Sequence, residues 1–325
     1  MSPERSIFPD KKESRVSYES AEKIVKDWKA FERGLVVGQQ EATWIANGEY
    51  PELPIAITWL PDPHLFQAGT DHDLFNSHIK TILDTPNMFL INGGDWFSNF
   101  NPNKYPTAMN STPLSPQEQA EAVADLLLKL DRKSKLGAIV WGNHEGFSEV
   151  AGLSFYRSFC REISCPIYED GGGVMNLMVG GVHYRGGIRH SYPFSSTLNP
   201  TNSPKRLIDK SKQLDFGFVG HTHRASAEMY HVGGEEKVAI VGGTYLLNDS
   251  LGNKWGHQGG PGGFTVMFYP DQKRMQIYRD PVIAKEVMRG LIQEHYMNND
   301  DLDPYSEMIK RLNEQRRQKD ERARS

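Results

Sequence analysis

From Ile55 to Tyr269 short apolar runs alternate with stretches of helical spacing, and most runs end in a motif of glycine, aspartate, asparagine or histidine. No other feature narrows the possible folds so far. A run too short for a helix and apolar on both faces reads as a buried strand. Strands are therefore expected at Ile55–Leu60, Met88–Asn92, Leu136–Trp141, Val174–Val179, Val182–Ile188, Asp215–Val219, Lys237–Val241 and Phe264–Tyr269. Helices are expected over Asp71–Leu83, Pro116–Leu130 and Ser148–Phe159, the second with Ser115, Pro116 and Glu118 where an N-cap, a first-turn proline and a capping-box partner belong. The pattern predicts an α/β fold with paired sheets inside and helices outside.

Composition removes several function classes. Lys and Arg total 37 against 41 Asp and Glu, so the surface as a whole is no polyanion-binding face and any nucleic-acid contact is local. No apolar stretch reaches the length of a membrane span. Met1–Arg5 is charged and leads into no apolar segment, which reads as a cytoplasmic protein whose Cys160 and Cys165 are reduced thiols. Three regions are expected. Residues 1–54 form an arm whose Ala21, Ile24, Val25, Trp28 and Phe31 fall at helical spacing; residues 55–285 form the main domain; and residues 286–325 form a helical tail. The tail from Tyr305 onward carries seven Lys and Arg against four Asp and Glu. The long loops Ser98–Pro113 and Gly242–Gly263 are candidate lids.

Five motifs stand just past the ends of expected strands, where an open α/β sheet presents its ligands. They are Asp62-Pro63-His64, Gly94-Asp95, Gly142-Asn143-His144-Glu145, His190 and Gly220-His221-Thr222-His223. Carboxylate oxygen together with imidazole nitrogen suits borderline divalent ions, whereas an all-carboxylate cage suits Mg²⁺ or Ca²⁺. One carboxylate can bridge two such ions. Alternating residues at a strand exit, as in Asp62/His64 and His221/His223, let flanking side chains converge while the middle one points away. Between the two histidines of its stretch, His183 falls inside an expected strand and His190 at its end, which favours His190 as the ligand. His72, His78 and His231 read as exposed.

In this ordered series the sequence resembles the calcineurin-like metallophosphoesterases over roughly residues 55–285. The resemblance implies a four-layer α/β/β/α sandwich holding two divalent metal ions, with Mn²⁺ favoured and Fe²⁺, Zn²⁺, Co²⁺ or Ni²⁺ also suited. It implies that Asp62, His64 and His223 hold one ion, that Asn143, His190 and His221 hold the other, and that Asp95 bridges them. His144 then lies outside the metal shell and serves the leaving group as proton donor. The series departs from Ser/Thr protein phosphatases and purple acid phosphatases after Gly94-Asp95, where Ser98 and Asn99 replace their Asp-Arg or Tyr. That change removes the carboxylate that orients His144 in the protein phosphatases and leaves Ser98 or Asn99 to accept its hydrogen bond. A looser resemblance to metallophosphoesterases of phages and prophages rests on Arg189-His190-Ser191, Asn199-Pro200 and Gly243-Thr244-Tyr245.

The expected activity is hydrolysis of a phosphate ester, with a phosphodiester in a nucleotide or nucleic acid favoured. The alternatives are a phosphomonoesterase, a noncatalytic interaction module on the same fold, as the retromer subunit of this superfamily suggests, and a structural metal site. Ser98, Asn99, Arg189 and His257 are candidate substrate contacts, and Trp96, Phe97, Phe100 and Tyr105 could stack a base.

Overall fold

The computed structural model describes residues 41–99, 111–147, 160–211, 213–247, 260 and 262–298. The helix expected within residues 1–40, the helix expected at Ser148–Phe159, His257, Phe100, Tyr105 and the tail from residue 299 lie outside the described residues. In chain order the strands are β1 (Glu41–Ile45), β2 (Ile55–Leu60), β3 (Met88–Asn92), β4 (Leu136–Val140), β5 (Ile167–Tyr168), β6 (Gly172–Val179), β7 (Val182–Arg189), β8 (Phe216–Val219), β9 (Ser226–Val232), β10 (Glu235–Val241), β11 (Phe264–Phe268) and β12 (Met275–Tyr278). The helices are α1 (His72–Asp84), α2 (Pro116–Arg132), α3 (Asn202–Lys210) and α4 (Pro281–Asn298).

The strands form two mixed six-stranded sheets, ordered β1-β6-β7-β8-β10-β9 and β12-β11-β2-β3-β4-β5. Side-chain alternation along β2 explains why both faces of the second sheet are covered. Ile55, Ile57 and Trp59 point into a core shared with Leu177, Phe216, Phe218 and Ile240 of the first sheet. Ala56 and Leu60 point the other way, among Phe75 and Ile82 of α1, Val123 and Leu127 of α2, and Ala284 and Met288 of α4. On its outer face the first sheet carries α3, whose Leu207 and Ile208 pack on Val174, Val219 and Ala239. Helices thus cover the outside of both sheets.

Capping at α2 follows the expected chemistry: Glu118 N–H donates to the Ser115 hydroxyl, and the Glu118 carboxylate accepts from Ser115 N–H at 2.8 Å. Several readings need correction. β1 pairs in parallel with β6, so the sheet begins at Glu41 and not at residue 55, and part of the expected arm belongs to the fold. α4 runs unbroken through the expected boundary at 285/286. His78, read as exposed, is buried on α1 with Nδ1 2.6 Å from the Tyr245 hydroxyl, because α1 turns that face toward the loop after β10. No helix among the described residues is long and apolar enough to cross a membrane.

Candidate metal centre

β2, β3 and β4 are parallel neighbours in one sheet, and β7, β8 and β10 are parallel neighbours in the other. Each triplet therefore releases its chain at one common end. The two ends are tied across the sandwich: Trp59 Nε1 donates to the Val219 carbonyl at 3.1 Å, His221 N–H donates to Asp62 Oδ2 at 2.7 Å, and His190 Nδ1 lies 2.9 Å from the Gly93 carbonyl. The five motifs, spread from Asp62 to His223, consequently meet at one place.

The loops that carry them are tight. Asp62, His64, Asp95, His221 and His223 all have positive φ, between 47° and 69°, a region L-residues rarely occupy. Gly94 takes φ 90°, and a β-carbon there would fall 2.8 Å from His190 Nδ1, so glycine serves both the turn and the close approach. Backbone bonds hold the conformation, among them Asp62 N–H to the Gly94 carbonyl at 2.9 Å and His64 N–H to the Asp95 carbonyl at 3.2 Å.

Ligand atoms of three Asp/His groups lie within 4.8 Å of one another: Asp62, His64 and His223; Asp62, Asp95, His190 and His221; and His64, Asp95 and His144. His64 Nε2 and His223 Nε2 face each other at 3.2 Å, and His190 Nε2 lies 3.1 Å from both Asn143 Oδ1 and Asp95 Oδ2. Asp62, His64, Asp95 and His190 are buried and form the floor, while Asn143 and His221 are exposed at the mouth. Seven of the eight residues assigned by sequence to metals and catalysis thus cluster tightly through their titratable groups, and Asn143 joins through its amide.

The donor set fits divalent cations on two counts. Among the described residues Asp62 Oδ1 and His64 Nδ1 are buried without a hydrogen-bond partner, an arrangement that is costly unless another group compensates. Two buried carboxylates also need positive charge close by. Burial opposes the charged form of His190, yet Asp95 and Asp62 push its pKa up to about 10. Burial likewise opposes ionisation of Asp95, but His190 and His144 overcome it and hold the carboxyl well below its usual range. Burial, with His144 and His223 beside it, drives His64 far down. Burial and His190 lower His221, whereas for His223 the Asp62 carboxylate 3.5 Å away outweighs burial and raises it. A proton on His190 supplies charge that a bound cation would otherwise bring.

His144 stands beside this floor, with Nε2 3.8 Å from Asp95 Oδ2 and its ring edge-on to His64 at a centroid distance of 4.9 Å. Its Nδ1 pairs with the backbone carbonyl of Ser98, and Asn99 Nδ2 donates to the His144 carbonyl at 2.6 Å. The carboxylate missing from the sequence is thus replaced by a main-chain oxygen. This corrects the substrate role given to Ser98 and Asn99. Both are fully buried, the Ser98 hydroxyl is spent on Gln67, and the Asn99 N–H is spent on Gln119. Trp96 and Phe97 are fully buried core residues as well, and Trp96 Nε1 donates to the Leu60 carbonyl at 3.0 Å, so neither offers a face to a base. Arg189 is half-buried at the end of β7, its Nε without a hydrogen-bond partner among the described residues.

Glu145 was given no role by the sequence reading, although it belongs to a motif that was singled out. Its carboxylate accepts from Asp95 N–H at 3.0 Å, Trp96 N–H at 3.1 Å and Gly142 N–H at 2.8 Å, fastening the β3 and β4 loops together. Burial, then the neighbouring Asp95, pushes its pKa up to about 8. The only signal was the spacing, because a glutamate three residues after a glycine at a loop start can bond back to that backbone N–H.

Two facing mixed sheets, each sending three parallel strands into one cluster of aspartate and histidine, decide the architecture. It is the two-sheet α/β sandwich that the resemblance to calcineurin-like metallophosphoesterases implies. No family model and no curated protein matches the sequence. Solved structures similar to the chain include a putative 5′-nucleotidase from Staphylococcus aureus, at 17% identity and a TM-score of 0.41, covering 69% of this chain and 53% of that one. Vps29 from Entamoeba histolytica is similar at 14% identity and a TM-score of 0.36, covering 69% and 97%. Nuclease MPE from Pseudomonas putida is similar at 12% identity and a TM-score of 0.31, covering 68% and 87%.

Proposed function

We propose that the protein is a metal-dependent phosphoesterase in which Asp62, His64 and His223 hold one divalent ion, Asn143, His190 and His221 hold a second, and Asp95 lies between them. The observation that carries this reading is that His144 stands beside the cluster, its Nε2 3.8 Å from Asp95 Oδ2, in addition to the seven residues assigned to the ions. A structural metal site has no use for such a group. Bound divalent ions, Mn²⁺ being favoured by the mixed oxygen and nitrogen donors, supply Lewis-acid charge for the phosphoryl oxygens and an activated water.

The remaining chemistry belongs to the chain. In its donor form His144 carries a proton on each ring nitrogen; the Ser98 carbonyl accepts from Nδ1–H, and Asp95 lies close enough to Nε2–H to stabilise the imidazolium. Nε2 gives its proton to the departing oxygen, and the ring returns to the neutral form with Nδ1–H still bonded. Glu145 and Asn99 keep the two loops from drifting while this happens. A phosphodiester is favoured over a monoester because a dianion asks for more positive charge. Among the described residues, no Lys or Arg is ion-paired within the Asp/His cluster.

The test is His144→Ala assayed with bis-aryl and mono-aryl phosphates in Mn²⁺. Metal binding should persist, and kcat/KM on the diester should fall by about 10²- to 10⁴-fold, the usual contribution of a placed proton donor. Full activity in the variant would refute the role of His144, and a preference for the monoester would refute the substrate class.

A further inference from the structure

The chain carries no Asp or Glu between Asp170 and Asp209, a stretch that includes Arg185, Arg189, Lys205 and Arg206. Its loop, residues 191–201, leaves the centre directly from His190 and ends at α3. It returns to the centre a second time, because Arg224, the residue after His223, donates from Nη1 to Thr197 Oγ1 at 2.9 Å. On this rim Phe194 is 57% exposed and Leu198 97% exposed. Arg206 lies over one face of the Phe194 ring, 5.3 Å from its centroid. Phe194 also has φ 73°, an outlier for a bulky residue, and Asn202 Nδ2 holds it there by donating to its carbonyl at 2.9 Å. Backbone strain of this kind gathers where a side chain must be presented in one direction. Lys205 pairs with Glu228 at 2.7 Å, and Arg206 and Arg224 also flank the loop.

We infer that this rim binds a single-stranded nucleic acid, with an unpaired base stacked on Phe194 and backbone phosphates running past Arg206 and Arg224 toward the metal centre. Four observations converge on that occupant. An exposed ring backed by a guanidinium is a stacking platform that every base can use and that a paired base cannot reach. The loop's own residues carry no carboxylate, and the one that meets it, Glu228 at Thr201, is paired with Lys205, so cations predominate there and match a polyanion. The loop joins the centre at both His190 and His223, so a strand lying on it leads to the cluster. Strain at Phe194 fixes the ring outward rather than into the core. The inference deepens the phosphodiesterase reading and rests on it for the fate of the strand, but not for binding.

The experiment uses the full chain and a fluorescently labelled oligothymidylate of roughly fifteen nucleotides, within the range that one binding face spans. Fluorescence anisotropy in a chelator, which stops metal-dependent cleavage, gives the affinity for this strand and for a duplex of equal length. The single strand should bind at least about tenfold more tightly than the duplex. Phe194→Gly removes the ring and suits the backbone, and should weaken binding by at least about fivefold; Phe194→Trp should retain it. Arg206→Gln and Arg224→Gln should each lower the slope of log affinity against log salt by about one. Equal binding of strand and duplex would overturn the inference. So would an unchanged affinity in Phe194→Gly, which would assign the ring to a protein partner instead. Hydrolysis of a bis-aryl phosphate in Mn²⁺ is read alongside. Strand binding without hydrolysis removes the phosphodiesterase reading and leaves the rim; hydrolysis without strand binding does the reverse.

Discussion

Asp62, His64, Asp95, His221 and His223 each sit at positive φ, and a non-glycine residue there costs about 1–2 kcal/mol. Local bonds offset part of this cost, and the acceptors concentrate on Glu145. A carboxylate with three backbone N–H donors is a positioning group: it touches no candidate ligand side chain in the contacts described, yet it sets where Asp95 points. Glu145→Gln keeps the shape but offers one good acceptor in place of two. Metal affinity should fall about 10- to 100-fold, the usual effect of removing an outer partner. Competition against a fluorescent chelator measures it, and an unchanged affinity would show that the loop join does not depend on this carboxylate. The clustered residues were legible at this scale because most motifs set an aspartate, asparagine or histidine beside a turn-forming glycine or proline. Ser98 and Asn99 were misread because a sequence shows side chains, and the atom that serves His144 is a main-chain carbonyl.

Among the elements, the strands buried on both faces were readable from their unbroken apolar runs, as β2 and β3 show. β9 and β12 escaped notice because an edge strand needs only one apolar face, and β9 runs Ser-Ala-Glu-Met-Tyr-His-Val with much of its length exposed. α3 was hidden by Asn202, Ser203 and Pro204 in its first turn, and it owes its place to the Leu207 and Ile208 contact with the sheet. At β7 the fit is close enough to test. A β-carbon on Gly186 would overlap the ring of Phe216, which is fully buried and has nowhere to move. Gly186→Ala should therefore destabilise the fold by about 1–3 kcal/mol. Chemical denaturation reports that loss, while metal affinity of the folded protein should stay unchanged because β7 keeps its register. Wild-type stability in the variant would mean the two sheets pack less tightly than described.

Taken as a whole, the molecule stores a charge problem at one end of its sandwich, and pH should expose it. His190 is raised from 6.5 to about 10, so its stabilising contribution is complete below pH 6.5 and is lost as pH rises through 10. Glu145 is raised from 4.5 to about 8, and its contribution is likewise lost as pH rises through 8. Both effects have the same sign, so Tm of the metal-free protein should fall between roughly pH 6.5 and pH 9. Added Mn²⁺ should oppose the fall, because ligation takes the neutral imidazole and binding strengthens as pH rises. A metal-free Tm that is flat or rising across that interval would contradict the charge assignment.

The proposed activity requires two cations that share the Asp95 carboxylate. Anomalous diffraction from Mn²⁺-soaked crystals measures this directly. Two peaks are predicted, one bounded by Asp62, His64 and His223 and the other by Asn143, His190 and His221, with Asp95 reaching both. A single peak, or manganese bound away from these side chains, would contradict it.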